Sequence, residues 1–147
     1  MNMIRTTLMG AALAVTTAGA ALADTSEKLV TVVTSQNPQT QLMAMVLTTQ
    51  AVMEHGTEAR ILLCGPGGDL ALSDAPESAT APQPPRDASP QGMLQNLMNN
   101  GVTVEVCAIY LPGMGADASV LLDGVGVAQP PAMAGAMLDQ DARVWSF

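Results

Sequence analysis

The chain predicts an α/β fold: a three-layer α/β/α sandwich on a parallel sheet of about five strands. Three observations carry this. Several short runs are β-branched and apolar on both alternating sets, as in strands buried on both faces. These runs alternate with segments of helical period. Glycine, proline and asparagine separate them at the positions where chains turn.

Lys28-Leu-Val-Thr-Val-Val-Thr34 is the first strand. Ser35 to Thr40 reads as a turn punctuated by Asn37-Pro38. Gln41 to His55 reads as an amphipathic helix. Leu42, Val46 and Met53 fall within a narrow arc flanked by Met43, Met45 and Val52, with Thr48 and Glu54 away from its centre. Gly56 is a natural stop. Ala59 to Cys64 is a second strand, ending in the loop Gly65-Pro-Gly-Gly68. Residues 69–90 differ from the rest. Asp74 to Pro90 holds five prolines and no large apolar side chain, which predicts an extended surface excursion.

Ser89-Pro90 reads as a helix N-cap followed by proline at the first helical position. The helix 90–100 carries Met93, Leu94, Leu97 and Met98 on one side and stops near Gly101. Val102 to Tyr110 is a third strand, Pro112 to Gly115 a turn, and Ala118 to Leu122 a short helix. Val125 to Val127 is a fourth strand, Pro130 to Leu138 a last helix, and Arg143 to Phe147 a last strand. Parallel strands joined by right-handed crossovers place helices on both faces. Ligands then gather beyond the carboxyl ends of the strands. Three segments fall there: Ser35 to Pro38, Cys64 to Gly68, and Cys107 to Gly115.

The N-terminus has the order of a cleavable secretory signal. Arg5 precedes an apolar run from Leu8 to Ala18, and Ala21-Leu22-Ala23 precedes Asp24. The run is short and rich in Ala, Thr and Gly, unlike a spanning helix of about 20 apolar residues. Residues 1–23 are expected to be removed, leaving a single domain over 24–147 in a periplasmic or secreted location. Removal takes Arg5 and no acid, so four bases face thirteen acids, a net charge of −9. That balance speaks against nucleic-acid binding and against anionic membranes.

Cys107 lies near the end of an apolar strand, ahead of a glycine-rich turn and a short helix. A helix N-terminus favours a thiolate, while a cysteine so placed is equally at home as a buried structural residue. Cys64 also ends a strand, so both sulfurs could meet at one edge. Three readings stay open: a disulfide, two independent thiols, or a reactive thiol with a resolving partner. Ser35, Asn37, Gly65, Gly68, Tyr110 and Gly115 are the binding-loop candidates of the same edge. The eleven methionines serve as core filler in a chain poor in aromatics. His55 is the single histidine and has no second imidazole to complete a zinc site. Gly65 to Gly68 lacks the Lys-Ser/Thr end of a phosphate loop. No metal and no cofactor are expected.

The layout resembles the DsrE/DsrF family of small sulfur-relay proteins. The likeness rests on Lys28-Leu-Val-Thr-Val-Val for the opening strand, on Gly101-Val-Thr-Val-Glu-Val-Cys107 for a helix stop feeding a strand that ends in cysteine, and on Gly115. The Pro-rich stretch with Gly65-Pro-Gly-Gly-Asp69 resembles an exported branch. The resemblance implies that Cys107 accepts and passes on a persulfide sulfur. It also implies a homo-oligomer, trimer or hexamer, or assembly with related subunits, and a protein sulfur donor or acceptor. Export and the acidic charge, with Glu105 two residues before Cys107, set this chain apart from the cytoplasmic relay proteins. A non-enzymatic assembly module is therefore the alternative reading.

Overall fold

β1 (Lys28–Val33) starts the described structure, a computed structural model covering residues 28–147. The segment read as a signal, residues 1–23, lies outside the described residues. From β1 the chain runs through α1 (Pro38–His55), β2 (Glu58–Leu63), a 3-10 helix (Gly65–Ala71), α2 (Glu77–Thr80) and α3 (Pro90–Asn99). Then follow β3 (Thr103–Val106), α4 (Tyr110–Met114), a 3-10 turn (Ala118–Val120), β4 (Gly126–Val127), α5 (Pro130–Leu138) and β5 (Ala142–Ser146). The strands form one five-stranded sheet, entirely parallel, in the order β4-β3-β2-β1-β5.

That order fixes the layers. Going from β1 to β4 the chain always steps in one direction, so right-handed crossovers put α1, α3 and α4 on one face. The last step runs back across the sheet, and α5 falls on the opposite face. The packing agrees. Leu29, Val33, Ile61, Leu63, Val104 and Val106 form the main core with Met45, Leu94 and Leu111. Val30 and Leu62 point the other way and pack with Met133 of α5 and with Ala128.

α1 is longer than its periodicity suggested and buries a different face. Asn37-Pro38, read as a turn, is the start signal. Asn37 Oδ1 accepts from the N–H groups of Gln39 (3.0 Å) and Thr40 (3.1 Å), and Pro38 stands at the first helical position. The buried stripe is Gln41, Ala44, Met45, Thr48 and Ala51. Small residues let the helix approach the sheet closely. Thr48 is tolerated at the centre because its hydroxyl bonds Thr31 across the layer (2.8 Å) and reaches the Ala44 carbonyl (2.8 Å). Met43, Val46, Leu47 and Met53 are left exposed.

The segment 69–90 is folded more tightly than its composition suggested. Leu70, Ala71 and Ala79 are fully buried. Gln91 Nε2 donates to the carbonyls of Leu70 (3.1 Å) and Leu72 (2.8 Å), tying the segment to α3. The third strand is shorter than its apolar run. It stops at Val106, because the Tyr110 N–H turns back to the Cys107 carbonyl (2.9 Å) and opens α4. The helix expected at 118–122 is a single 3-10 turn over Ala118–Val120.

Candidate functional site

Three segments leave the carboxyl edge of the sheet, and two of them close on each other. Leu63 of β2 lies beside Val106 of β3 in register. One residue further on, Cys64 and Cys107 are therefore side by side, with their side chains on the α5 face. The Cys64 N–H donates to the Val33 carbonyl (2.9 Å) and the Cys107 N–H to the Leu63 carbonyl (2.9 Å). Both cysteines thus continue the ladder beyond the strands. Their Cα atoms are 5.1 Å apart and their sulfurs are joined in a disulfide. Neighbouring strands lie about 4.8 Å apart in any sheet, so the separation is close to that of the ladder itself. Of the three readings left open by the sequence, the bridge sets aside two independent thiols. With its ends 43 positions apart in sequence, the loop it closes corresponds to roughly 4 kcal/mol in the chain-entropy account.

Both cysteines are partly exposed and pack against the Val30–Leu62–Ala128–Met133 cluster. β3 hands the chain to α4 on one face, and β4 hands it to α5 on the other. Cys107, at the end of β3, thus borders the point where connections diverge, the usual place for a crevice in open parallel sheets. Glu105 also lies on the α5 face. Arg60 stands beside it (Nε to Oε2, 3.4 Å) and offsets its charge. No charged side chain occurs in Thr34–Pro38, Cys64–Gly68 or Ala108–Gly115, in a chain with thirteen acids.

Two glycines of this edge are demanded by close approach. A Cβ at Gly67 would lie 2.7 Å from the Val33 carbonyl carbon and closer still to its oxygen. A Cβ at Gly68 would fall 2.6 Å from the ring of Tyr110. Gly68 is thus the seat of the Tyr110 ring. The Tyr110 hydroxyl donates to Asp69 Oδ1 (2.8 Å), fastening the 3-10 helix after β2 to α4 after β3. Burial, then the bond to Asp69 and its negative charge, push the phenol well above the ordinary tyrosine range. The aspartate was legible only as an acid next to a glycine loop. Its role depends on a partner 41 residues away.

The other candidates take architectural positions. Ser35 Oγ accepts from the Asn37 N–H (3.0 Å), and its carbonyl accepts from Gln41 Nε2 (2.9 Å). Asn37 caps α1. Gly65 (φ +50°) and Gly115 (φ +68°) occupy left-handed positions at the entry to the 3-10 helix and at the end of α4. Ser35 and Asn37 line the end of β1, and no hydrogen bond joins them to the cysteine pair among the described residues. Ile109, 81% exposed, and Met114 stand open on the segment that follows Cys107.

The DsrE/DsrF-like family model matches residues 27–145, almost the whole described chain. The chain belongs to the DsrE/DsrF-like family. Solved structures agree on the fold. The ychN protein from E. coli superposes with a TM-score of 0.65 at 22% identity, over 82% of this chain and 99% of that one. A protein of unknown function from Methanobacterium thermoautotrophicum superposes with a TM-score of 0.61 at 15% identity, over 82% and 98%. At such identities the likeness is one of fold. No curated protein matches the chain. Within this DsrE/DsrF-like chain, Cys107 directly follows β3 and Cys64 stands beside it.

Proposed function

We propose that this DsrE/DsrF-like protein is exported and handles sulfur or thiol redox equivalents through Cys107, with Cys64 as its resolving partner. The observation that supports this reading is the in-register cysteine pair at the carboxyl edge. Each sulfur is the other's nearest exchange partner, and both are partly exposed. Family membership supports sulfur as the element handled.

The chemistry is nucleophilic exchange. An incoming thiolate attacks Cys107 Sγ, the Cys64–Cys107 bond breaks, and Cys64 leaves as a thiolate. The attacker is now joined to Cys107. With hydrosulfide as the attacker, the product at Cys107 is a persulfide, and no external oxidant is consumed. Return attack by the Cys64 thiolate on Cys107 Sγ closes the disulfide and expels the carried group. Bridging in the resting protein also suits an oxidising compartment, where an unpaired reactive thiol would be lost to oxidation.

The test uses the mature chain treated with sulfide, then alkylated and analysed by mass spectrometry. The expected result is a persulfide on Cys107. It accumulates in Cys64→Ser after reduction and reloading with a persulfide donor, and is absent in Cys107→Ser. Unmodified Cys107 in both loading experiments would overturn the proposal.

A second reading is a binding or assembly module. The exposed apolar side chains Ile109, Leu138, Val144 and Met53 support it. Light scattering decides this reading: a strictly monomeric chain would sink it.

A further inference from the structure

We propose that β5 pairs with β5 of a second copy, antiparallel about Val144, so that the sheet continues across a two-fold axis. The inference deepens the assembly reading by naming its surface, and it stands apart from the cysteine chemistry, because β1 separates β5 from the strands that carry Cys64 and Cys107.

β5 is an edge strand, paired only with β1. The Phe147 N–H donates to the Val32 carbonyl, the Thr34 N–H to the Phe147 carbonyl, and the Lys28 N–H to the Asp141 carbonyl. In a parallel ladder, residues alternate in which side their main-chain groups address. The odd-numbered residues of β5 therefore bond β1. Val144 and Ser146 present both main-chain groups outward, while Ala142 offers only its carbonyl, because its N–H donates to the Asp139 carbonyl (3.1 Å). Of the usual edge guards the strand has no proline, lysine or bulge, and Arg143 is its one charged side chain.

The side chains select the register. Arg143 and Trp145 lie on the α1 face, in register with Leu29 and Thr31, and Val144 lies on the α5 face, in register with Val30. Antiparallel pairing about Val144 sets Val144 against its own copy, with Ala142 opposite Ser146. Val144 then exchanges both bonds with its own copy and each Ser146 N–H meets the Ala142 carbonyl of the other copy, about four backbone hydrogen bonds in all. Arg143 falls opposite Trp145 of the second copy, twice, at non-hydrogen-bonded positions where side chains come closest. An arginine over an indole face is a favourable cation–π pair. Among the described residues Arg143 belongs to neither ion pair.

A register centred on Arg143 would oppose two arginines, and one centred on Trp145 would set Arg143 opposite Phe147, a weaker cation–π partner than the indole. The sequence Arg-Val-Trp is thus complementary to itself when reversed. The same axis covers apolar surface on both sides of the sheet. Val144 is 45% exposed on one side. On the other, a groove of about 300 Å³ is lined by Leu47, His55, Arg143 and Trp145.

Val144→Pro removes an N–H that β1 does not use, so the intrachain ladder is spared. Sedimentation of the mature chain should show an assembly with an even number of subunits, strengthened by salt because both copies are acidic. Val144→Pro, with unchanged far-ultraviolet circular dichroism, should have about half the particle mass. Arg143→Glu should weaken association by about tenfold or more. A monomeric wild type at high micromolar concentration overturns both this pairing and the assembly reading. An assembly whose mass survives Val144→Pro overturns the pairing alone. Should Val144→Pro fail to fold, Arg143→Glu decides, and an unchanged mass refutes the proposal.

Discussion

Gly67→Ala tests how tightly the loop after β2 is seated on β1. The added methyl would meet backbone on two sides: the Val33 carbonyl carbon at 2.7 Å and the Thr34 nitrogen at 3.0 Å. Ordinary contacts to carbon lie near 3.5–4.0 Å, so the loop must retreat by about 1 Å. It cannot retreat without loss. The Val33 carbonyl is held by the Cys64 N–H, and the Gly67 N–H is held by the Cys64 carbonyl (3.0 Å). Overpacking against rigid atoms costs about 1–3 kcal/mol, and a stretched hydrogen bond adds about 1. We expect a loss of about 3 kcal/mol. With a urea m-value of about 2 kcal/mol/M for a chain of this size, the midpoint falls by about 1.5 M with the disulfide intact. Gly135→Ala is the matched control. It lies within α5 with nothing inside 4 Å of the new Cβ, and should raise stability by about 0.5–1 kcal/mol. A Gly67→Ala midpoint within about 0.3 M of wild type, or equal losses for both variants, would refute the reasoning.

Tyr110 is the single tyrosine, so phenolate absorbance reports it alone. Its folded pKa is raised, so its contribution to stability is complete below the unfolded value of about 10 and fades as pH rises through the folded value. Titration of the folded protein should show a midpoint well above that of the urea-unfolded chain, and Asp69→Asn should lower it; coincident folded and unfolded midpoints would contradict the Asp69 bond. Asn37→Ala removes the acceptor shared by the Gln39 and Thr40 amides. It should cost about 1 kcal/mol in thermal or urea unfolding, with no change at the cysteine pair.

The parallel sheet was legible because double-sided apolar runs such as Leu29 to Val33 have few other uses. Local helix signals were legible at Gly56 after α1 and at Ser89-Pro90 before α3, while the equally local cap Asn37-Pro38 was read as a turn. The buried face of α1 was not. Periodicity ranks Val46 and Met53 above Ala44 and Thr48, yet contact with a sheet rewards small side chains, and Thr48 needs Thr31 from another element to be satisfied. The end of β3 was missed for a related reason. Cys107 to Tyr110 continues the apolar run, but these residues serve a turn and the seat against Gly68 rather than a ladder. The pairing of Cys64 with Cys107 depends on strand order and register, which no local window contains. The resemblance of Gly101 to Cys107 to the family pattern located one cysteine, and only the sheet order supplied its neighbour.

The ladder positions of the two cysteines carry a last consequence. A bridge that pulls distant elements together reports its own rupture, because the backbone relaxes when it opens. Here the sulfurs are neighbours by virtue of the strands that carry them, and hydrogen bonds from Cys64 and Cys107 to the ladder hold both main chains in place. Opening the bond leaves the scaffold nothing to relax. Under the proposed sulfur chemistry, the state of the pair would have to be read at the sulfur atoms themselves.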